Sequence, residues 1–340
     1  MKILITGGAG FIGTHLTKHF SGRGDKVAVF DNLSRRGSVP NLLWLQKNVP
    51  GLEFIHGDVR DASAIERAAQ GREAVFHLAA QVAVTTSVAN PRDDFKINAL
   101  GTFNVLEAAR ASGLNPIVIY SSTNKVYGGM EEAKVVEGPD RYALAELPLG
   151  VAETWPLDFH SPYGCSKGTG DQYVRDYARI YGLPTVVFRQ SAIYGERQFG
   201  VEDQGWLAHF VICATLGRPI TIYGDGKQVR DMLYVGDLAR AFERAVDRIA
   251  AVKGQVFNIG GGPGFTLTIW SETGPMLEAL GGRKLPVQYG KWRPGDQRIF
   301  VSDIRKAERE LGWKPEVAPK EGVARLWAWA QENKEQLVGE

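Results

Sequence analysis

Lys2-Ile3-Leu4-Ile5-Thr6-Gly7-Gly8-Ala9-Gly10-Phe11-Ile12-Gly13 opens the chain, and its reading decides the fold. Residues 2–6 are a short apolar run with two isoleucines, the pattern of a buried strand. Beyond the glycines, Ile12, Leu16 and Phe20 recur every four residues, as on the buried face of a helix. The order is strand, glycine turn, helix. Gly7 permits the tight turn, Gly10 lets the backbone approach a pyrophosphate, and Gly13 lets the helix pack close to the strand. The amino end of such a helix attracts phosphate.

A second strand over 26–30 ends in Asp31. An acid there accepts from the hydroxyls of an adenosine ribose and repels a 2′-phosphate, which favours NAD over NADP. Arg35 and Arg36 follow, and they read as a solvated loop or as contacts on the adenine side. A third strand over 52–56 leads into Gly57-Asp58-Val59, where Asp58 suits the adenine amino group and Asp61 suits a helix cap. The fourth strand, 74–80, opens onto Leu78, Ala79 and Ala80, whose small side chains let a flat cofactor lie against backbone. His77 sits inside that apolar run and reads as a hydrogen-bonded core histidine. A long helix then carries Asn98, Gly101, Val105 and Ala108. The fifth strand, 116–120, ends in Ser121-Ser122-Thr123, and the sixth covers 184–188. Six strands alternating with helices predict an α/β fold, a Rossmann-type doubly wound parallel sheet. Hydroxyls at the carboxyl end of such a strand enter the ligand crevice, so Thr123 is a candidate for binding a substrate hydroxyl. A strand-end turn is its plainer role.

Between the fifth and sixth strands stands Ser161-Pro162-Tyr163-Gly164-Cys165-Ser166-Lys167. Tyr163 and Lys167 are four apart, so a helix places them on one face. Free tyrosine titrates near about 10 and free lysine near about 10.4, so neither is a base at neutral pH alone. An adjacent ammonium favours the phenolate, and a tuned phenol takes a proton from an alcohol. Gly182 is placed to end this helix.

The division expected is a cofactor-binding domain over 1–190 and a smaller substrate-binding lobe over 191–340, some of whose segments return to the main sheet. Arg230 and Arg293 are candidate pyrophosphate ligands, because guanidinium matches phosphate in charge and paired donors. Leu326, Trp327 and Trp329 on the closing helix read as packing. The 340 residues carry a net charge of +2, with 44% apolar and 23% charged residues. That balance gives no reason to expect nucleic acid or a membrane surface. No apolar run approaches the roughly 20 residues of a membrane span. The first residues enter a strand directly, so no signal peptide is expected, and the two cysteines, Cys165 and Cys213, fit a reducing cytoplasm. No metal site is expected.

Glycine turn, Asp31, the Ser/Thr strand end and Tyr163/Lys167, taken together, resemble the extended short-chain dehydrogenases/reductases, the NAD-dependent epimerase/dehydratase family. The resemblance covers nearly the whole chain. It implies that Tyr163 is the acid/base, that Lys167 supports it and holds the nicotinamide ribose, and that Thr123 binds the reacting hydroxyl. Threonine replaces the serine often found there and keeps the hydroxyl. The expected cofactor site comprises Gly7, Gly10, Phe11, Ile12, Gly13, Asp31, Asn32, Ser34, Arg35, Asp58, Val59, Leu78, Ala79, Ala80, Asn98, Ser121, Tyr163 and Lys167. Gln81, Thr123, Gln198, Arg230 and Arg293 are expected at the substrate.

Dehydratases of the family have an Asp-Glu pair after the hydroxyl residue, whereas this chain has Asn124-Lys125. Neither residue replaces the acid and base of an elimination. The runs Asp31-Asn32-Leu33-Ser34-Arg35, Gln81-Val82-Ala83-Val84-Thr85-Thr86-Ser87, 121–128, 158–167 and Asp203-Gln204-Gly205-Trp206 are similar to those of the CDP-paratose 2-epimerase (CDP-tyvelose epimerase) group. That resemblance implies a CDP-sugar substrate inverted at C2 through a 2-keto intermediate. Paratose lacks a 3-hydroxyl, so direct oxidation at C2 is the simpler route. NAD is then regenerated each turnover. Tyr163 is expected to titrate well below free tyrosine, lowered by Lys167 and the charge of NAD⁺. A nucleotide-sugar 4-epimerase is the alternative, as is a non-catalytic NAD(H)-sensing protein on the same fold, against which the intact Thr123, Tyr163 and Lys167 weigh. By the same resemblance, helices near 98–112 and 163–181 are expected to pair with their copies in a homodimer or homotetramer.

Overall fold

In the computed structural model, which describes residues 1–293 and 296–338, strand β1 (Lys2–Thr6) is buried on both faces. Ile3 and Ile5 enter one core, and Leu4 enters the core on the opposite side. A strand apolar on both sides belongs in the middle of a parallel sheet with helices on each face. Six further strands join it: β2 (Lys26–Asp31), β3 (Glu53–His56), β4 (Ala74–His77), β5 (Ile117–Thr123), β6 (Thr185–Gln190) and β7 (Gln255–Ile259). Their order is β7-β6-β5-β4-β1-β2-β3, all parallel. Ile5 pairs with Val29 on one side and Phe76 on the other.

A segment from beyond residue 190 returns to the main sheet, as expected, and forms the seventh strand, β7, which pairs Phe257 with Phe188. Two strand ends differ from the sequence reading. β4 stops at His77, leaving 78–80 as loop. β5 runs on to Thr123, because β6 is long enough to pair Ser121, Ser122 and Thr123 with Phe188, Arg189 and Gln190.

One face of the sheet packs Phe20, Phe76, Phe188, Phe242 and Phe257 into a single core. Each such side chain, fully buried, contributes roughly 1.5–3 kcal/mol. A second core gathers Tyr194, Phe210, Leu277, Leu326 and Trp329 between the Trp206–Leu216, Thr273–Gly281 and Pro319–Glu332 helices. Leu326 and Trp329 are packing residues, as expected.

The strand order reverses between β1 and β4. At such a switch point two neighbouring loops leave in opposite directions and open a crevice at the carboxyl ends of the strands.

Candidate active site

The crevice is a cavity of about 610 Å³. The glycine turn closes one wall. Gly7 has φ +69°, and a Cβ there would stand 2.7 Å from the Ala79 nitrogen; one on Gly13 would stand 2.3 Å from the Gly7 carbonyl. Both positions lack side chains because backbone packs directly on backbone there, which sets the shape of the turn. The Phe11–Gly22 helix follows, and Gly10 caps it with no side-chain hydrogen bond. Its first N–H groups are thus available to an anion.

Gly7, Gly10, Phe11, Ile12, Gly13, Asp31, Asn32, Ser34, Arg35, Asp58, Val59, Leu78, Ala79, Ala80, Gln81, Ser121, Thr123, Tyr163, Lys167 and Gln198 all line this one cavity. Asp31 is buried; Oδ1 accepts from Leu33 N at 2.8 Å and Oδ2 from Ala9 N at 3.1 Å. Burial pushes its carboxyl up, opposed by those backbone donors. Asp58 is held down to about 2, chiefly by the Arg60 guanidinium, which bonds to it at 2.7 Å. Asn32 Nδ2 donates to the same carboxylate at 2.8 Å. Asp61 caps the next helix through Ala64 N at 3.0 Å. His77 is a core histidine, within 2.7 Å of Thr6 Oγ1 and 3.0 Å of Thr102 Oγ1, and burial drives its imidazole down to about 3.

Three expected residues lie outside the lining. Asn98 is buried behind it and clamps the backbone of Gln81: its Oδ1 accepts from Gln81 N at 2.9 Å and its Nδ2 donates to Gln81 O at 3.0 Å. It sits in a π-helical turn, Lys96–Leu100, inside the helical stretch expected to be regular. Arg230 is buried and donates to Asp296 Oδ1 and Gln297 O, each at 2.7 Å. Arg293 lies 3.9 Å from the Tyr223 ring centroid and pairs with Glu202 and Asp203 at 3.7 and 3.3 Å. Pro294 and Gly295, in the same run, lie outside the described residues.

The Ser161–Tyr181 helix starts with local chemistry. Ser161 takes φ +66°, Pro162 occupies the first turn, and Ser161 Oγ accepts from Gly164 N at 3.2 Å. Ser87 Oγ accepts from Tyr163 N at 3.1 Å. Gly182, in the left-handed region, ends the helix as expected. Tyr163 and Lys167 therefore both reach the cavity from one face. The Thr123 hydroxyl accepts from Lys125 N at 3.2 Å and lies within hydrogen-bonding reach of the Tyr163 phenol.

The electrostatics depart from the sequence expectation. Burial pushes the Tyr163 phenol up to about 12, opposed by the Thr123 hydrogen bond and the Arg35 charge. Lys167 is not what governs it; its ammonium lies 4.2 Å from the Tyr120 ring centroid. Burial also pulls Lys167 down to about 7, against the negative charges of Asp171 and Asp94. Desolvation is the first cause for each group, because both sit deep in the crevice.

Residues not singled out from sequence also line the cavity, among them Gln190, Arg197, Phe199 and Met232. Gln190 ends β6, and the strand-end rule that selected Thr123 selects it equally. Arg189, beside it, clamps Asp171 of the Tyr163 helix through two bonds of 2.9 Å, and Ser122 Oγ donates to Asp171 at 2.8 Å. No local motif marks that bridge. Among the described residues there is no His/Cys/Asp/Glu group that could hold a metal, and no helix long and apolar enough to cross a membrane. Cys165 and Cys213 are free thiols.

Residues 3–260 match the model of the NAD dependent epimerase/dehydratase family. The chain belongs to that family. It is 45% identical to the CDP-paratose 2-epimerase of Salmonella typhi, over 97% of this chain and 99% of that one. Among solved structures, the UDP-glucose 4-epimerase of Thermotoga maritima with UDP-glucose superposes with a TM-score of 0.85 at 35% identity, covering 98% of this chain and 100% of that one. The Thermus thermophilus UDP-glucose 4-epimerase in complex with NAD gives 0.80 at 34% identity, covering 97% and 99%. The glycine cradle, the bare helix end and Asp31 fit the dinucleotide of the family name, and this epimerase/dehydratase fold is NAD-dependent.

Proposed function

We propose that this NAD-dependent nucleotide-sugar epimerase inverts C2 of a CDP-sugar, in the manner of CDP-paratose to CDP-tyvelose. The observation that carries the reading is the full-length 45% identity to a CDP-paratose 2-epimerase, joined to an intact Thr123, Tyr163 and Lys167 in one cavity. NAD, when bound on the glycine turn, supplies a reversible hydride acceptor. Tyr163 takes the proton of the sugar 2-hydroxyl and later returns it, Thr123 holds that oxygen, and Lys167 supports the phenol and the nicotinamide ribose. The 2-keto sugar turns over between the two half-reactions. Arg230 and Arg293 hold the substrate pyrophosphate, each exchanging a carboxylate partner for phosphate.

Asn124 and Lys125 weigh against water loss. Lys125 Nζ donates to Gln297 Oε1 at 3.4 Å, and burial pulls its ammonium down to about 8. Neither residue supplies the carboxylate that removes a carbon-bound proton in elimination. Exposed Phe103, Tyr173, Ile180 and Tyr181 on the Gly101–Ala111 and Ser161–Tyr181 helices, with Leu100 just before the first, offer apolar surface that suits pairing with a second copy. A cytoplasmic enzyme accords with the two free thiols.

Incubation with CDP-, GDP- and UDP-sugars, followed by NMR of the products, tests the reading. A CDP-3,6-dideoxyhexose inverted at C2 is expected. Inversion of UDP-glucose at C4 alone would replace it with the second reading, which the likeness to the Thermotoga 4-epimerase favours.

A further inference from the structure

Tyr163, Thr123 and Lys167 leave one buried carboxylate beside them without a role. Asp94, in the Pro91–Phe95 helix, is 1% exposed. Its Oδ1 accepts from Gln81 Nε2 at 3.0 Å and from Asn98 Nδ2 at 3.1 Å, and the Ser166 hydroxyl is a further neutral donor beside the buried carboxylate. Asn98 Nδ2 also lies 3.1 Å from the hydroxyl of Ser166, the residue before Lys167. The cluster therefore ties Asp94 to the cavity wall at Gln81 and to the helix that carries the acid/base pair. The π turn Lys96–Leu100 brings Asn98 into it, and such turns recur at functional sites. A buried carboxylate held only by neutral donors is costly unless a cation compensates it. Burial pushes the Asp94 carboxyl up, and the Ser166 and Gln81 hydrogen bonds and the charge of Lys167, the cation in its field, hold it down.

We propose that Asp94 is a positioning residue of the reaction: together with Asp171 it supplies the countercharge that keeps Lys167 an ammonium ion while Tyr163 exchanges its proton. The surroundings of Lys167 support the assignment. Asp171 stands one turn along the same helix, but the Arg189 guanidinium of β6 engages both of its oxygens. Tyr120 of β5 offers a ring face, and His77 of β4 is neutral, with its imidazole at about 3. The turn after β5 brings Lys125, itself a cation, and Tyr127, whose phenol is pushed up to about 12. Asp94 is the carboxylate acting on Lys167 whose charge no guanidinium neutralises. It also acts on Tyr163, raising the phenol, while Arg35 lowers it.

The proposal rests on the reading of Tyr163 and Lys167 as the acid/base pair. That reading fails if Tyr163→Phe is active; this one fails on a different measurement. Asp94→Asn keeps the hydrogen bonds, because the amide oxygen takes the place of Oδ1 and the NH₂ that of Oδ2, and it removes the charge. Without that charge both groups lose protons more easily. Both limbs of kcat/KM, set by the titrations of Tyr163 and Lys167, should therefore move to lower pH, by about one unit. Asp94→Glu should restore them. NMR titration of the Lys167 side-chain nitrogen, assigned by its loss in Lys167→Arg, should show the same downward move in the protein as purified. Asp94→Ser serves as a second neutral variant. Limbs and nitrogen titration that stay in place, whether or not the rate falls, would overturn the proposal. So would failure of both neutral variants to fold while Asp94→Glu folds, since Asp94 would then be a structural anchor.

Discussion

Arg189→Met tests the buried bridge between β6 and the helix that carries Tyr163 and Lys167. Arg189 and Asp171 are 2% and 0% exposed, and two bonds of 2.9 Å join them. The same guanidinium donates to Tyr127 Oη at 3.2 Å and Glu153 O at 3.4 Å. The variant leaves the Asp171 carboxylate with only the Ser122 hydroxyl and the Gln172 amide, both at 2.8 Å. Stranding one member of a buried ion pair costs about 3–5 kcal/mol. Unfolding entropy near about 2.1 cal/mol/K per residue, taken over 340 residues, amounts to about 0.7 kcal/mol/K, so Tm should fall by about 4–7 °C. Replacing both partners, Arg189→Met with Asp171→Leu, removes the stranded charge and should restore part of that loss. The assay is thermal unfolding at fixed protein concentration with saturating NAD, since bound ligand moves Tm by itself. A fall of less than about 1 °C in the single variant, or a double variant whose loss equals the sum of both singles, would refute the reasoning.

Tyr163→Phe removes one oxygen and keeps the ring, so NAD retention should survive while turnover falls by about 10⁴-fold, the upper end for an acid–base residue; Thr123→Val should cost less, and the ratio of the two rates checks the assignment. Because the buried phenol starts near 12, wild-type kcat/KM should rise with pH on the acid side, and a profile with no fall on that side would exclude Tyr163 as the base. Gly13→Ala places a methyl 2.3 Å from the Gly7 carbonyl, so the protein should purify without NAD(H), which absorbance of the released nucleotide detects. Arg230→Ala and Arg293→Ala should each raise KM for the nucleotide sugar by about tenfold or more, as loss of a charged hydrogen bond of about 1.5–3 kcal/mol demands, with NAD retention unchanged. On the pairing proposed, Phe103→Glu should lower the sedimenting mass of the homodimer or homotetramer; an unchanged mass would exclude pairing through the Gly101–Ala111 helix.

Much of this protein was legible along the chain because the chemistry involved is local. The glycine turn after β1 depends on neighbours a few residues away, and so does the acid at the end of β2. The shared face of Tyr163 and Lys167 follows from helix pitch. The fold class follows from apolar runs at strand and helix spacing. Tertiary structure decided what depends on distant segments and on burial. β7 enters the main sheet from beyond residue 190 because it pairs with β6, and β5 extends to Thr123 for the same reason. Asp171 meets Arg189, and Asp94 meets Gln81 and Asn98, only once separate helices and strands pack. Helix spacing points the Tyr163 titration downward, and burial of the protein's own groups points it upward. Spacing along a helix reports how near two charges are, but only the packed crevice reports how much water both have lost, and here the lost water dominates.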